Sequence, residues 1–262
     1  MTLIRQSPPE TSSTWTQTES RQLERGLAVL GQQASAPQLR QLRNFGELLL
    51  KWNRTYNLLG ATHPRALVEE HLLDTFAILP ALDRWLRPQP QVLVDVGSGA
   101  GLPGIVLAIQ RAQLTLVLVE PNGKKAAFLR QAVAACGLAN VRVLEARVED
   151  ADSRRDFSPP HPIAGSDGGP HFICRAFTTL QRFAELCSQH VRSGPEGSLL
   201  FAMKAAKVGE ELQQLRGSAE VLAVEELLTV QKDVQRNLVV MRLRQCATGP
   251  EKAAVTDRRQ PL

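Results

Sequence analysis

Two kinds of hydrophobic pattern follow one another along the chain, and the change falls near residue 88. Before that point, apolar side chains recur every three or four residues, which predicts helices. Pro37 separates two of them and stands in the first turn of the second, where its missing N–H does little harm. A further helix is predicted over 64–86. The second helix carries an apolar stripe that consists of Leu39, Leu42, Phe45, Leu49, Trp52 and Tyr56.

After residue 90, short apolar runs alternate with helical segments. Five runs predict strands at 92–96, 115–120, 141–146, 171–177 and 198–204. Helices are predicted at 103–111, at 122–136, from the end of the fourth strand to about 192, and near 207–217. The segments 221–230 and 236–244 resemble the two arms of a hairpin. This order predicts an α/β fold with a doubly wound, mostly parallel seven-stranded sheet and an antiparallel C-terminal hairpin.

The same patterns suggest a division of the chain. Residues 1–20 are polar and predict a disordered tail, and 21–88 form an N-terminal helical extension. The main domain spans 89–246 and contains a loop insertion at 151–170, which has four prolines and three glycines without periodicity. Residues 247–262 predict a second disordered tail.

Composition narrows the class of partner only slightly. The chain of 262 residues has a formal net charge of +5, and this modest basic excess suits an anionic partner such as nucleic acid as well as an ordinary soluble protein. No apolar stretch reaches the roughly 18 residues of a membrane span, and the N-terminus lacks the apolar core of a secretory signal. We therefore expect a cytoplasmic protein without a membrane partner.

The four cysteines, Cys136, Cys174, Cys187 and Cys246, are not spaced as metal ligands, and no histidines cluster with them. We expect reduced thiols and no metal site.

The segment "VLVDVGSGAGLPGIVLAI", at 92–109, raises the question of a nucleotide ligand. Its residues 99–104 fit the G-x-G-x-x-G pattern of dinucleotide-binding proteins literally. In that fold, however, the first glycine ends the first strand, and here the predicted strand ends at Val96. Counting from Gly97 places Leu102 where the third glycine belongs, so the pattern fails in register.

Two acids favour a different adenosine ligand. Asp95 precedes Gly97 by two residues, and a buried carboxylate there repels a pyrophosphate but suits a ligand with an ammonium group. S-adenosylmethionine carries an ammonium and a sulfonium and has no phosphate. Glu120 ends the second predicted strand, where an acid accepts hydrogen bonds from ribose hydroxyls in many adenosine sites.

The carboxyl ends of parallel strands line one crevice, which groups the candidate cofactor residues. Simpler interpretations stay open for each: an ordinary turn at the glycines, helix capping by Asp95, a surface position for Glu120 or Glu149, and a plain ion pair for Arg175. The candidates are Gly97, Gly99, Leu102, Glu120, Val148, Glu149 and Arg175.

Several segments, in order, resemble the bacterial 16S ribosomal RNA guanine-N7 methyltransferases, a family also called glucose-inhibited division protein B. They are "LLKWNRTYNL", "HLLDTFAILP", "DVGSGAGLPGIVLAI", "GKKAAFLRQ", "ARVED" and "CRAF". The resemblance runs from about Phe45 to Met241. The glycine loop alone would indicate only a methyltransferase, whereas the combination is specific.

The resemblance implies a Rossmann-like class I fold that transfers a methyl group from S-adenosylmethionine to N7 of a guanine in 16S ribosomal RNA, within the small subunit or its precursor. It assigns Gly97 and Leu102 to the cofactor loop, Val148 and Glu149 to the surroundings of the adenine, and Arg175 to a cofactor contact. Lys204 becomes a candidate substrate-binding residue, although Ala205 stands where the family usually has glycine.

Guanine N7 has a lone pair in the neutral base, so the reaction implied by the resemblance needs no general base, and no catalytic residue is assigned. Three alternatives stay open. They are a methyltransferase of another RNA or of a small molecule, a non-catalytic RNA-binding module that keeps the fold, and a dinucleotide oxidoreductase.

Overall fold

The computed structural model describes residues 14–60, 63–86, 91–158, 169–191, 197–205, 208–231 and 233–244. The predicted tail 247–262 and half of the predicted insertion 151–170, residues 159–168, therefore lie outside the described residues. Within the insertion, 153–156 form a short helix, and the predicted N-terminal tail overlaps a helix that already begins at residue 17.

Two capped helices open the chain. α1 (Gln17–Val29) begins after Thr16, whose side chain and that of Glu19 form a capping box, so the helical extension starts before the predicted boundary at residue 21. α2 (Ala36–Tyr56) begins after Ser35 in the same way, carries Pro37 in its first turn and ends at Asn57 in the left-handed conformation.

The predicted helix over 64–86 is present but interrupted. It consists of α3 (Pro64–Ala66), a π-helical turn (Leu67–Leu72), α4 (Leu73–Ala77) and α5 (Leu79–Trp85). Pro80 explains the break between α4 and α5, because proline lacks the N–H that would continue the helical hydrogen bonds.

A seven-stranded sheet follows, in the order β3-β2-β1-β4-β5-β7-β6, and it confirms the predicted fold class. The first five strands pair in parallel, and β7 is antiparallel to both β5 and β6. The elements are β1 (Val92–Val96), α6 (Gly104–Gln110), β2 (Thr115–Val119), α7 (Gly123–Cys136), β3 (Val141–Leu144), a 3₁₀ turn (Val148–Asp150), α8 (Ser153–Asp156), β4 (His171–Arg175), α9 (Leu180–Ser188), β5 (Leu199–Ala205), α10 (Gly209–Gln214), β6 (Ala219–Leu227) and β7 (Arg236–Leu243).

Alternate residues of the central strands enter two separate cores. In β1, Leu93 faces the core that contains α6 and α7, whereas Val94 faces the core that contains α9. The helices after β1 and β4 thus lie on opposite faces of the sheet. The neighbouring ends of β1 and β4 form the switch point at which doubly wound sheets bind their ligands.

The N-terminal helices share the first of these cores. Phe45 of α2 lies against Phe128 of α7 with 6.4 Å between ring centroids, and Trp52 packs edge-on against the same ring at 5.6 Å. Gln38 and Gln41 donate hydrogen bonds to the carbonyls of Ile109 and Cys136, at the last turns of α6 and α7. The extension therefore covers one face of the sheet.

Candidate functional site

The glycine loop after β1 is a tight turn held against the neighbouring strand. The amides of Gly97 and Ser98 both donate to the carbonyl of Val119, at 2.9 and 3.1 Å. Gly97, Gly99 and Gly101 have φ values of 71°, 52° and 79°, a conformation that residues with a Cβ rarely adopt. These backbone conformations explain why the loop contains three glycines. The loop begins directly after Val96, as the sequence predicts.

Asp95 lies beneath this loop. Its carboxylate is 1% exposed and accepts a hydrogen bond from the amide of Gly104, at the start of α6, at 3.1 Å. Burial raises the pKa of Asp95 to about 7. Asp95 thus holds the turn into α6 and is not exposed to a ligand. This agrees with the helix-capping interpretation that the sequence left open.

Glu120 connects the second strand to the loop. One carboxylate oxygen accepts from the amide of Gly99 and the other from the amide of Asn122, each at 2.9 Å. The side chain is buried, which matches its predicted position at the end of β2. The structure thus brings together Gly97, Gly99 and Glu120.

Arg175 ends β4 and reaches the N-terminal helices. It donates to the carbonyls of His71 and Glu70 at 3.2 and 2.9 Å, and to Nδ1 of His71 at 3.0 Å. Asp74 lies 3.7 Å from the Arg175 guanidinium and accepts from Nε of Arg236 at 2.8 Å. We call these five residues the arginine cluster.

The arginine cluster keeps His71 neutral. Burial first, and then the charges of Arg175 and Arg236, lower the pKa of His71 to about 4. Sequence reasoning did not single out Asp74 and Arg236. The spacing of His71 and Asp74, three residues apart on one helix face, was the available signal for Asp74.

Val148 and Glu149 form the 3₁₀ turn after β3. Val148 is buried and its carbonyl lies 2.7 Å from Nε2 of His190, whereas the Glu149 carboxylate is 3.8 Å from the Arg182 guanidinium. The pair is therefore anchored to α9 and to His190, two residues after the end of α9, at the edge of the sheet where β3 ends.

Lys204, near the end of β5, is held by two groups of the protein. Its ammonium donates to the carbonyl of Thr178 and lies 2.8 Å from the carboxylate of Glu211. The lysine is thus already neutralised by an ion pair, and its predicted substrate contact has to compete with Glu211.

Phe177 is a site residue that sequence reasoning did not single out. A Cβ built on Gly97 would lie 2.3 Å from its ring, so the ring covers the glycine directly, and the side chain is 40% exposed. The preceding Ala176 has a φ of 49°, a strained value for a residue other than glycine. Such strain is typical of functional sites.

The donor set at the switch point fits an adenosine ligand with an amino-acid group. Among the described residues, the backbone amides of Ala100 and Leu102 donate to no protein acceptor, so they remain available to a ligand oxygen or ring nitrogen. The two oxygens of Glu120 each retain a lone pair for a ribose hydroxyl. Leu102 precedes Pro103 through a cis peptide bond.

Metal and membrane features are absent from the part of the chain that the structure describes. No group of three histidine, cysteine or acidic side chains is arranged to hold a metal ion there. No described helix is long and apolar enough to cross a membrane. The described cysteines Cys136, Cys174 and Cys187 are free and buried.

The strand order, the glycine loop after β1 and the acid after β2 define a class I S-adenosylmethionine-dependent methyltransferase. The model of the family described as rRNA small subunit methyltransferase G, or GidB, matches residues 38–239. The chain belongs to this family. This membership confirms the predicted class of enzyme, an S-adenosylmethionine-dependent methyltransferase of ribosomal RNA.

Individual relatives agree with the family model. The chain is 39% identical over 216 residues to the ribosomal RNA small subunit methyltransferase G of Azoarcus sp., covering 82% of this chain and 92% of that protein. It is 40% identical over 222 residues to the protein of the same name from Xanthomonas oryzae pv. oryzae, covering 84% of this chain and 93% of that protein.

A solved structure of an MtNAS mutant in complex with S-adenosylmethionine is similar with a TM-score of 0.49 and 13% identity, over 78% of this chain and 71% of that chain.

Proposed function

We propose that this protein transfers a methyl group from S-adenosylmethionine to N7 of a guanine in 16S ribosomal RNA. We propose further that it acts in the cytoplasm and that the RNA substrate is contained in the small ribosomal subunit or its precursor. The observation that carries the cofactor assignment is the pairing of Glu120 with the amide of Gly99 beside the unpaired amides of Ala100 and Leu102. Together they offer acceptors for ribose hydroxyls and donors for an anionic or ring acceptor.

We assign the cofactor contacts as follows. The backbones of Gly97, Gly99 and Leu102 hold the amino-acid portion, and Glu120 accepts the ribose hydroxyls. Val148 and Glu149 border the adenine. Arg175 has five N–H donors and uses three hydrogen bonds on the N-terminal helices, so it keeps donors for a cofactor carboxylate.

The bound cofactor supplies an activated methyl group on a sulfonium. When bound, it would supply this methyl to N7 of the guanine, and the bonding pair of the broken sulfur–carbon bond would stay on sulfur. The protein has no proton to remove. Its contribution is alignment, which can lower a barrier by roughly 7–11 kcal/mol when two reactants are held in line.

The charges around the site are consistent with this transfer. Positive charge moves onto the guanine, so a bare cation beside N7 would oppose the reaction. His71 is neutral at physiological pH because its pKa is lowered to about 4, and Lys204 is paired with Glu211. The cationic Arg175 is engaged by carbonyl groups of the helix before α4.

A duplex is a poor substrate for such a site. In an RNA helix, N7 lies in the deep and narrow major groove, which side chains do not reach. We therefore propose that the target guanine lies in a loop or is turned out of its stack.

The reaction is tested with tritiated S-adenosylmethionine and 16S RNA. Borohydride and aniline cleave RNA at 7-methylguanosine, so labelled RNA should break at one guanine. A matched transcript in which 7-deazaguanosine replaces guanosine lacks the nucleophile and should remain unlabelled. Equal labelling of both transcripts would contradict transfer to N7 and would indicate another acceptor atom.

The cofactor assignment is tested with Glu120→Gln, which loses the charge and one acceptor. Hydrogen bonds to a charged group contribute about 1.5–3 kcal/mol, so we expect S-adenosylmethionine affinity to fall about 10- to 100-fold in calorimetric titration. Glu145→Gln is the control, because Glu145 is an exposed acid paired with Arg130. Equal affinity of the two variants would remove Glu120 from the site.

A further inference from the structure

A second concave surface lies between the N-terminal helices and the hairpin. It is a cleft of about 730 Å³, large enough for a nucleotide, and none of the proposed cofactor residues lines it. α1 forms one wall, the helix from Pro64 to Ala77 forms another, and the loop between β6 and β7 closes the end. We call it the α1 cleft; its lining includes Arg21, Gln22, Arg25, Arg65, Glu69 and Val230.

The α1 cleft is positively charged. Arg21 and Arg25 are four residues apart and so project from the same face of α1. Neither is paired with a carboxylate among the described residues, and both are exposed. The lining acid Glu69 is 3.2 Å from Arg65, which leaves the charges of Arg21 and Arg25 uncompensated.

Within the described ranges, Arg21 and Arg25 form no ion pair that would stabilise α1. Like charges at this spacing destabilise a helix by a few tenths of a kcal/mol. A second unsatisfied group lies beside them, because the buried amide nitrogen of Gln22 has no hydrogen-bond partner in the described structure. An acceptor oxygen entering the cleft would offer that amide a partner once the side chain turns outward.

The α1 cleft faces the same edge of the sheet as the glycine loop. β6 runs parallel to β1 because β7 is antiparallel to both β5 and β6. The end of β6, and with it Val230 and Gln231, therefore lies at the carboxyl edge. From β1 it is three strands to β7 and four to β6, which corresponds to about 14–19 Å at the usual strand spacing.

We propose that the α1 cleft binds backbone phosphates of the ribosomal RNA a few nucleotides from the target guanine. Guanidinium groups suit phosphate oxygens in geometry and charge. The apolar walls formed by Val29, Leu73 and Val230 accommodate the sugar or an unstacked base. The identity of the RNA rests on the proposed function, whereas the affinity of the cleft for phosphate backbone is tested separately.

The experiment measures equilibrium binding of the full chain to deproteinised 16S RNA and to small subunits at several salt concentrations. Arg21→Ala/Arg25→Ala should fold normally, because both side chains are exposed and alanine favours helices. For two lost phosphate contacts on single-stranded RNA, the slope of log K against log salt should become less steep by about 1.4. At 0.15 M salt this corresponds to about tenfold weaker binding.

Arg40→Ala/Arg43→Ala is the matched control, with the same change in formal charge. α2 starts at the opposite edge of the sheet, since Gln38 and Gln41 contact the last turns of α6 and α7. We expect its salt slope to equal that of the wild type. Arg21→Lys/Arg25→Lys keeps the charges and should keep most of the slope.

Equal affinity and equal salt slope for the α1-cleft variant and the control would overturn the proposal. A change seen with small subunits but not with bare RNA would also overturn it, because it would assign the cleft to a ribosomal protein. Methyl transfer is measured in parallel. If the wild type fails to methylate guanine N7 but the α1-cleft variant still loses salt dependence, the proposed function fails and the phosphate cleft stands.

Discussion

The buried carboxyl of Asp95 makes the free energy of unfolding depend on pH, and the substitution Asp95→Asn removes this dependence. Burial raises its pKa from 3.8 to about 7 in the folded protein. Between these values the folded state holds a proton that the unfolded state releases. The favourable contribution is therefore complete below pH 3.8 and is lost as the pH rises towards 7.

The size of this effect follows from the two pKa values. Well inside the window each pH unit changes the free energy of unfolding by about 1.4 kcal/mol, and the slope halves at the folded pKa, so the loss between pH 5 and pH 7 is about 2 kcal/mol. Asp95→Asn keeps an oxygen that can accept the Gly104 amide and has no proton to release. The free energy of unfolding of Asp95→Asn should therefore lack the pH dependence that Asp95 causes.

Urea unfolding of both proteins at pH 5, 6, 7 and 8 measures the difference. His71 and His171 both have a pKa lowered to about 4 and contribute the opposite slope, but they do so in both proteins and cancel in the comparison. The wild type should lose about 2 kcal/mol relative to Asp95→Asn from pH 5 to pH 7 and a few tenths of a kcal/mol more by pH 8. Parallel stability curves for the two proteins would refute the argument.

Two further substitutions test packing and charge. Gly26→Ala places a Cβ 2.2 Å from Cδ1 of the buried Leu73, and we expect a loss of about 1–3 kcal/mol in urea unfolding. The same change in a Leu73→Ala background should be neutral or favourable, and an unchanged cost there would exclude the clash as its cause. Asp74→Ala removes the shared carboxylate of two partly buried arginines and should cost about 3–5 kcal/mol in the same assay, whereas a loss below 1 kcal/mol would mean that water already screens the arginine cluster.

The fold could be predicted because its signals are local. The strands found at 92–96, 115–119 and 141–144 coincide with apolar runs, and the helix stop at Gly137 is a left-handed cap. The predicted continuous helix over 64–86 was wrong at Ile78, although Pro80 was visible in the sequence.

The contacts of the site were harder to predict because they join distant segments. The positions of the glycine loop and Glu120 follow from where strands end. The partner of Asp95, by contrast, is an amide nine residues later, and its distance depends on the shape of the turn. Arg175 binds a helix that lies 104 residues earlier in the chain, and no periodicity reports such a pairing.

The packing of Phe45 against Phe128 also imposes an order of events on synthesis. These rings lie 83 positions apart, and a ribosome adds about 5–20 residues per second, so α2 emerges roughly 4–17 s before its partner exists. During that interval its apolar stripe has no sheet helix to cover it. A helix translated before the sheet thus reaches its native surroundings only after α7 has been made.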